Sequence, residues 1–310
     1  MDLNQAQLDA LVAIADSGSF EAAARALHVT PSAVSQRIRA LEAAAGQVLV
    51  SRGAPCRPTG HGERLVQLGR QTRLLYDEAS QSLGTLPAVD LPVAVNADSL
   101  ATWFRDVLAE ASGWPATAIA LHVEDQAHSL ELLRRGEALA AVTSEAVAIQ
   151  GCAVEPLGSL RYVPAASPVL AARWDRARAG GAGGAGGAGA AGGERGRQPD
   201  WAAMPLIVFN EKDDLQDQAL RQLGLPGRPP VVHRVPSSVD FRQAVRLGLG
   251  WGMLPQLQAD PDLASGVLER LPGDIIDVPL YWQRWRLESP RLRQLTEAVR
   301  RAAREHLHHH

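Results

Sequence analysis

SFEAAARALHVTPSAVSQRIRALEAAAG, residues 19–46, decides how the N-terminal end of this chain folds. Ser19 stands where an N-cap belongs, so a short helix is predicted from Phe20 to Leu27. His28-Val29 leaves room only for a tight connection. Thr30-Pro31 then sets a capping hydroxyl ahead of a proline at the first helical position, where the missing N–H is no loss. The next helix should run from Pro31 to about Ala45, burying Val34, Ile38 and Leu41 and stopping at Gly46. Upstream, Leu8, Leu11, Val12, Ile14 and Ala15 recur at helical spacing and predict a helix over residues 4–16. Downstream, Val48–Val50 reads as a short strand, and the stretch Ser51–Pro58 as the Gly/Pro-rich tip and return arm of a wing-like hairpin. Thr59 opens a long helix to about Leu83. Its Leu65, Leu68, Thr72, Leu75, Ala79 and Leu83 form a seam suited to pairing with a second helix.

Two helices joined by a tight turn and followed by a wing suit the major groove of double-stranded DNA. The second helix must carry short polar or arginine side chains near its start to reach base edges. Ser32, Ser35, Gln36, Arg37 and Arg39 fit that need, and the turn around Thr30 offers backbone N–H groups to a phosphate. Arg52 and Arg57 on the wing would meet the backbone or minor groove. The net charge of −3 hides this module. Arg25, Arg37, Arg39, Arg52, Arg57, Arg64, Arg70 and Arg73 face only Glu42 and Glu63 over the same span. A basic segment in an acidic protein is what a DNA module attached to a non-binding domain should show.

The full length of 310 residues requires more than one domain, and 46% hydrophobic with 21% charged residues is ordinary for a globular protein. Apolar runs are too short and interrupted to span a bilayer. The opening MDLNQAQLDALVAIADSGSF has neither a basic n-region nor a long apolar core, so a cytoplasmic protein is expected. Cys56 and Cys152 are far apart and read as free thiols, with no metal or cofactor expected. After a proline-containing linker, Gly84–Pro92, strands are predicted at Leu91–Val95, Ile119–Val123, Leu139–Val142, Leu206–Phe209, Val231–Val235 and Trp251–Leu254. Helices are predicted at Ser99–Ala111, Ser129–Arg135, Leu215–Leu223, Val239–Leu247 and Ser289–Leu307. That alternation predicts a mostly parallel α/β sheet in two lobes. Gly180–Gly193 is almost pure Gly/Ala; its G-x-G-x-x-G lacks the strand and helix of a dinucleotide site and reads as a linker. The terminal His306, His308, His309 and His310 read as a frayed tail. No hydrolase, zinc-protease or P-loop motif is present, so an enzyme is not expected. Residues 92–300 alone would also suit a solute-binding protein, a reading opposed by the attached basic helices.

The run Phe20–Leu27 followed by Val29-Thr30-Pro31-Ser32-Ala33-Val34-Ser35-Gln36-Arg37-Ile38 resembles the N-terminal signature of LysR-type transcriptional regulators. Leu49-Val50-Ser51-Arg52 stands for that family's wing motif, and Pro58-Thr59-Gly60-His61-Gly62 for the start of its linker helix. Asn96–Trp103, Val123-Glu124-Asp125, Leu133–Glu137, Met253-Leu254-Pro255 and Tyr281-Trp282 are similar to the branch that contains ArgP and LysG. The resemblance covers nearly all of the chain except the Gly/Ala insert. It implies a winged helix-turn-helix over residues 1–58, a dimerising helix and hinge over 59–90, and a two-lobed periplasmic-binding-protein-like effector domain over 91–310. Lobe I would comprise about 91–163 and 268–305, and lobe II about 164–267. It also implies a homodimer or homotetramer that works with RNA polymerase as an activator of an amino-acid exporter gene. The effector would be L-lysine or L-arginine; another small-molecule effector is the alternative.

A basic amino acid needs backbone N–H groups for its carboxylate and acidic groups for its cations. Asp98-Ser99 and Ser237-Ser238 each follow a predicted strand and open a helix. Asp125 lies just past a strand end, as do Asp213 and Asp214, and Ser144 offers a hydroxyl at another. These eight residues are the candidate effector contacts, with binding expected between the lobes.

Overall fold

The computed structural model describes residues 3–85, 88–123, 126–176 and 198–309. The N-terminal elements are α1 (Gln5–Ser17), α2 (Phe20–Ala26), α3 (Pro31–Ala45), β1 (Val50–Ser51), β2 (Arg57–Pro58) and α4 (Gly60–Ser82). Then come β3 (Val89–Val95), α5 (Ala97–Ala101), α6 (Phe104–Ala111), β4 (Thr117–Val123), α7 (Gln126–Arg135), β5 (Ala140–Thr143), β6 (Cys152–Ala166) and α8 (Pro168–Arg173). The C-terminal stretch holds β7 (Leu206–Val208), α9 (Asp214–Gln222), β8 (Val232–Arg234), α10 (Ser238–Arg246), β9 (Gly252–Pro255), α11 (Gln256–Ala264), β10 (Glu269–Arg270), β11 (Ile276–Trp285) and α12 (Pro290–His306). Among the described residues, no helix is long and apolar enough to cross a membrane.

The chain divides into two compact units. The first comprises Met1–Asn96, Leu108–Glu155 and Tyr281–Val299; the second comprises Ala97–Val107, Pro156–Leu280 and Arg300–His310. In the first unit the caps set the helix starts. Asn4 forms a capping box with Gln7 at α1, and Ser19, Thr30 and Thr59 each accept a backbone N–H at α2, α3 and α4. Leu11, Ile14, Ala23, Val34, Ile38, Leu41, Leu49 and Val66 close one core around these helices. The wing is a minimal antiparallel pair, Val50 opposite Pro58 and Ser51 opposite Arg57. It begins later than the expected strand, and Val48 is exposed. Gly62 and Gly69 let α4 approach its neighbours. A β-carbon at Gly62 would lie 2.1 Å from the Leu49 carbonyl oxygen, and one at Gly69 would lie 2.9 Å from Val12. In the same unit β3 runs parallel to both β4 and β5, while the end of β11 runs antiparallel to β5. Trp282 and Trp285 are fully buried there, their indole N–H groups donating to Thr296 and the Leu133 carbonyl.

In the second unit β6 pairs antiparallel with both β9 and β10, and β7 pairs parallel with β8. Val163, Ile207, Phe241, Val245 and Leu254 form its core. The sheet is therefore mixed, which corrects the expectation of a mostly parallel one. The reason lies in β6 and β11. Both carry prolines inside the strand (Pro156, Pro164 and Pro279), a feature that argues against strand in a sequence reading. The expected helix Ser99–Ala111 is interrupted at Thr102-Trp103, and α11 was not expected. The Gly/Ala insert lies outside the described residues.

Candidate DNA-recognition surface and effector site

Helix α3 turns Val34, Ile38 and Leu41 inward. Ser32, Gln36 and Arg39 are exposed on the opposite face and Ser35 lies beside them half-buried, because three- and four-residue steps return to one side of a helix. Arg37 is half-buried on the flank of that face. The start of the helix is organised by Thr30, whose Oγ1 accepts from the Ala33 N–H at 3.2 Å and lies 3.1 Å from the Ser32 hydroxyl. On the wing, Arg52 and Arg57 are both exposed. The Arg52 guanidinium stands 5.9 Å from the centre of the Phe20 ring, which ties the wing to the start of α2. Glu42, the one acid on α3, is spent locally: its carboxylate accepts from the backbone N–H groups of Leu49 and Val50. The outer face of α3 therefore carries hydroxyl, amide and guanidinium groups and no carboxylate.

In the second unit the structure gathers some of the expected effector residues. Tyr162 of β6 donates its phenol O–H to Asp98 Oδ2 at 2.7 Å, and Ser238 hydrogen-bonds the same carboxyl group. Asp98 keeps a partly accessible flank, but its carboxyl group is deep. Burial raises its pKa above the usual aspartate value, and the hydrogen bonds from Ser238 and Tyr162 pull it part of the way back. The Tyr162 phenol is raised in turn, first by burial and then by the charge on Asp98, with a further contribution from Asp213. Among the described residues no arginine or lysine charge compensates Asp98. A buried carboxylate without a cation is costly, and a cationic ligand would relieve that cost.

The remaining candidates divide. Ser99 is fully buried beside Asp98, and both lie within α5 rather than ahead of it. Asp213 caps α9, accepting from the Phe209 N–H at 2.6 Å; burial raises its pKa, offset by backbone N–H groups and by Arg228. Ser237 caps α10 and accepts from the Asp240 N–H, so its oxygen is engaged in its own helix. Asp214 is exposed. Ser144 follows β5 in the first unit. Asp125 lies outside the described residues. Tyr162 and Gln258 were missed by the sequence reading; the Gln258 amide donates to the Ser238 hydroxyl at 3.1 Å. Tyr162 sits in a proline-interrupted run without turn signals, and only its apolar neighbours hinted at a strand.

Comparison with known proteins agrees with this arrangement. Residues 5–63 match the bacterial regulatory helix-turn-helix protein, lysR family, and residues 185–304 match the LysR substrate binding domain. The lysine export transcriptional regulatory protein LysG of Corynebacterium efficiens is 48% identical over 97% of this chain and 98% of its own length. Full-length LysG of Corynebacterium glutamicum with bound effector Arg superposes with a TM-score of 0.80 at 44% identity, covering 99% of this chain and 100% of that one. ArgP of Mycobacterium tuberculosis gives 0.83 at 41% identity, with 100% of both chains covered. An N-terminal helix-turn-helix, a C-terminal α/β effector domain and near full-length similarity to these regulators lead to one conclusion: the chain belongs to the LysR family of bacterial DNA-binding transcriptional regulators.

Proposed function

We propose that this regulator senses a basic amino acid, L-lysine or L-arginine, and in response activates transcription of an amino-acid exporter gene. The observation that carries the reading is the buried Asp98 carboxyl group, held by Tyr162 and Ser238 with no cation among the described residues to balance it. A lysine ammonium or arginine guanidinium would supply that charge, with Asp213 adding to the negative field around Tyr162. Ser99, Ser144, Asp125, Asp214 and Ser237 complete the proposed set of contacts. Support also comes from the relatives, one of which is described as a lysine export regulator and another as arginine-bound.

In this reading residues 1–58 bind DNA, 59–90 pair two copies, and 91–310 sense the effector, with lobe I at about 91–163 and 268–305 and lobe II at about 164–267. Ser32, Ser35, Gln36, Arg37 and Arg39 read base edges, while Thr30, Arg52 and Arg57 hold the phosphate backbone. Pairing is supported by α4, whose Leu68, Leu75, Tyr76 and neighbouring Leu83 stay exposed in the single chain. A homodimer or homotetramer places two recognition helices on a dyad-symmetric operator in the cytoplasm and engages RNA polymerase there. Effector binding shifts the oligomer between arrangements only through its differential affinity for them. The test is a thermal-shift and footprinting series with L-arginine, L-lysine and L-norleucine, the last lacking lysine's distal amine. Stabilisation and an altered footprint with the first two alone are expected. No response to either basic amino acid at millimolar concentration overturns the assignment.

A further inference from the structure

We propose that the second unit carries a site for a divalent transition-metal ion, suited to zinc, formed by Asp106 of α6 with Glu305 and His306 at the end of α12. One ligand atom from each side chain lies within 4.8 Å of the other two, and His306 Nε2 stands 2.6 Å from Asp106 Oδ2. A four-coordinate zinc ion spaces its nitrogen and oxygen ligands roughly 3.3–3.5 Å apart. The close pair therefore has to open by about 1 Å and the wider contacts have to close by no more than about 1.5 Å. Rotation of the side chains alone supplies movements of that size.

The charges at the cluster call for a cation. His306 Nε2 can carry a single hydrogen, and Asp106 stands where it would be taken. Glu305 is exposed and makes no ion pair among the described residues. A protonated imidazole brings one positive charge to two carboxylates, whereas a divalent ion bound to the neutral ring balances both. The imidazole nitrogen also selects the kind of ion, because magnesium and calcium prefer shells made wholly of oxygen. Water can take the remaining position: the Asp106 and His306 side chains are 54% and 28% exposed.

The backbone carrying the three ligands is held from both sides. The His308 N–H donates to the Ser159 carbonyl at 3.0 Å, the Ser159 N–H donates to the His308 carbonyl at 2.8 Å, and Leu307 is buried beside them. The chain up to His308 is thus anchored on β6, which corrects the expectation of a frayed tail there. Opposite, buried Phe104 and Val107 fix α6. Ligands on anchored elements need little reorganisation to close on a metal. The site shares no residue with the Asp98 cluster and does not depend on the effector reading.

The test uses the full-length protein, stripped of metal by a chelator, with zinc chloride as probe. Calorimetric titration should show one equivalent bound, and zinc should raise the Tm. Because His308, His309 and His310 could chelate zinc by themselves, the titration is repeated with all three replaced (His308→Gln, His309→Gln and His310→Gln). The bridge to Ser159 uses only the backbone of His308, so this variant should keep the site. In that background Asp106→Asn and Glu305→Gln should each weaken zinc by at least about ten-fold, and His306→Gln by as much or more. Glu305→Gln breaks no ion pair and should leave the metal-free Tm unmoved, which separates a lost ligand from a damaged fold. Zinc binding that disappears with the three terminal imidazoles, or that survives Asp106→Asn and Glu305→Gln unchanged, overturns the site. Displacement of zinc by equimolar magnesium would overturn the assignment to a transition metal.

Discussion

Replacing Asp98 by Asn separates effector binding from folding stability. The substitution keeps the shape of the side chain and removes its charge. Tyr162 and Ser238 bond the carboxyl through hydroxyl groups, which can rotate to accept from the new amide, so neither needs to lose its partner. Without ligand, the wild-type group has a folded-state pKa raised by burial. A raised carboxyl pKa contributes stability below the unfolded value, and that contribution is lost as pH rises through the folded value. Above the unfolded value the raised pKa is therefore a net cost to the empty protein, and at pH 7.5 Asp98→Asn should hold or raise its Tm. With ligand the sign reverses. A buried cation facing a neutral amide loses a charge-assisted hydrogen bond, about 2–3 kcal/mol, or roughly 30- to 150-fold in Kd. Calorimetric titration of L-arginine beside thermal unfolding of the empty protein measures both quantities. An affinity within three-fold of wild type would show that Asp98 does not receive the cation. A large fall in Tm would show that the carboxylate serves the fold instead.

If Asp98 receives the cation, effector affinity should depend on pH. L-Arginine should bind more weakly as pH falls, with the loss beginning above the ordinary aspartate range because Asp98 must give up its proton to accept the cation; Asp98→Asn should flatten that profile in isothermal titrations. Arg39→Ala, on the exposed face of α3, should weaken operator binding and reduce the slope of log K against log salt by about one if it holds a phosphate, or relax base preference if it reads an edge. Arg37→Ala should do less in the same gel shifts because Arg37 lies on the half-buried flank. Gly62→Ala should be destabilising by about 1–3 kcal/mol or more, since its β-carbon would meet the Leu49 carbonyl oxygen at 2.1 Å; an unchanged Tm would refute the close packing of α4 on the wing.

The DNA module was legible because its signals are local. Ser19, Thr30, Pro31, Gly46 and Thr59 each act within one turn of a helix, and the structure places the helix boundaries within one or two residues of those signals. The candidate effector site was legible only in part. Asp98 and Ser238 stood at strand-to-helix junctions, which pattern alone can find. Tyr162 lies 64 residues beyond Asp98 in the chain, and no periodicity links them. Asp213 shows the opposite limit: a carboxylate at a helix start reads alike whether it waits for a ligand or, as here, is engaged by backbone N–H groups.

By itself, then, the sequence determined the helix-turn-helix, the wing, the apolar spacing along α4 and the local excess of basic over acidic side chains between Arg25 and Arg73. Those properties follow from short-range hydrogen bonding and side-chain spacing. Only the tertiary structure decided that the sheet is mixed, that Arg37 lies half-buried on the flank of the exposed face, and that Asp98 meets Tyr162 and Ser238 with no balancing cation among the described residues. Each of these depends on which distant segments share a low-dielectric interior, and burial of that kind is a property of the packed chain rather than of any stretch within it.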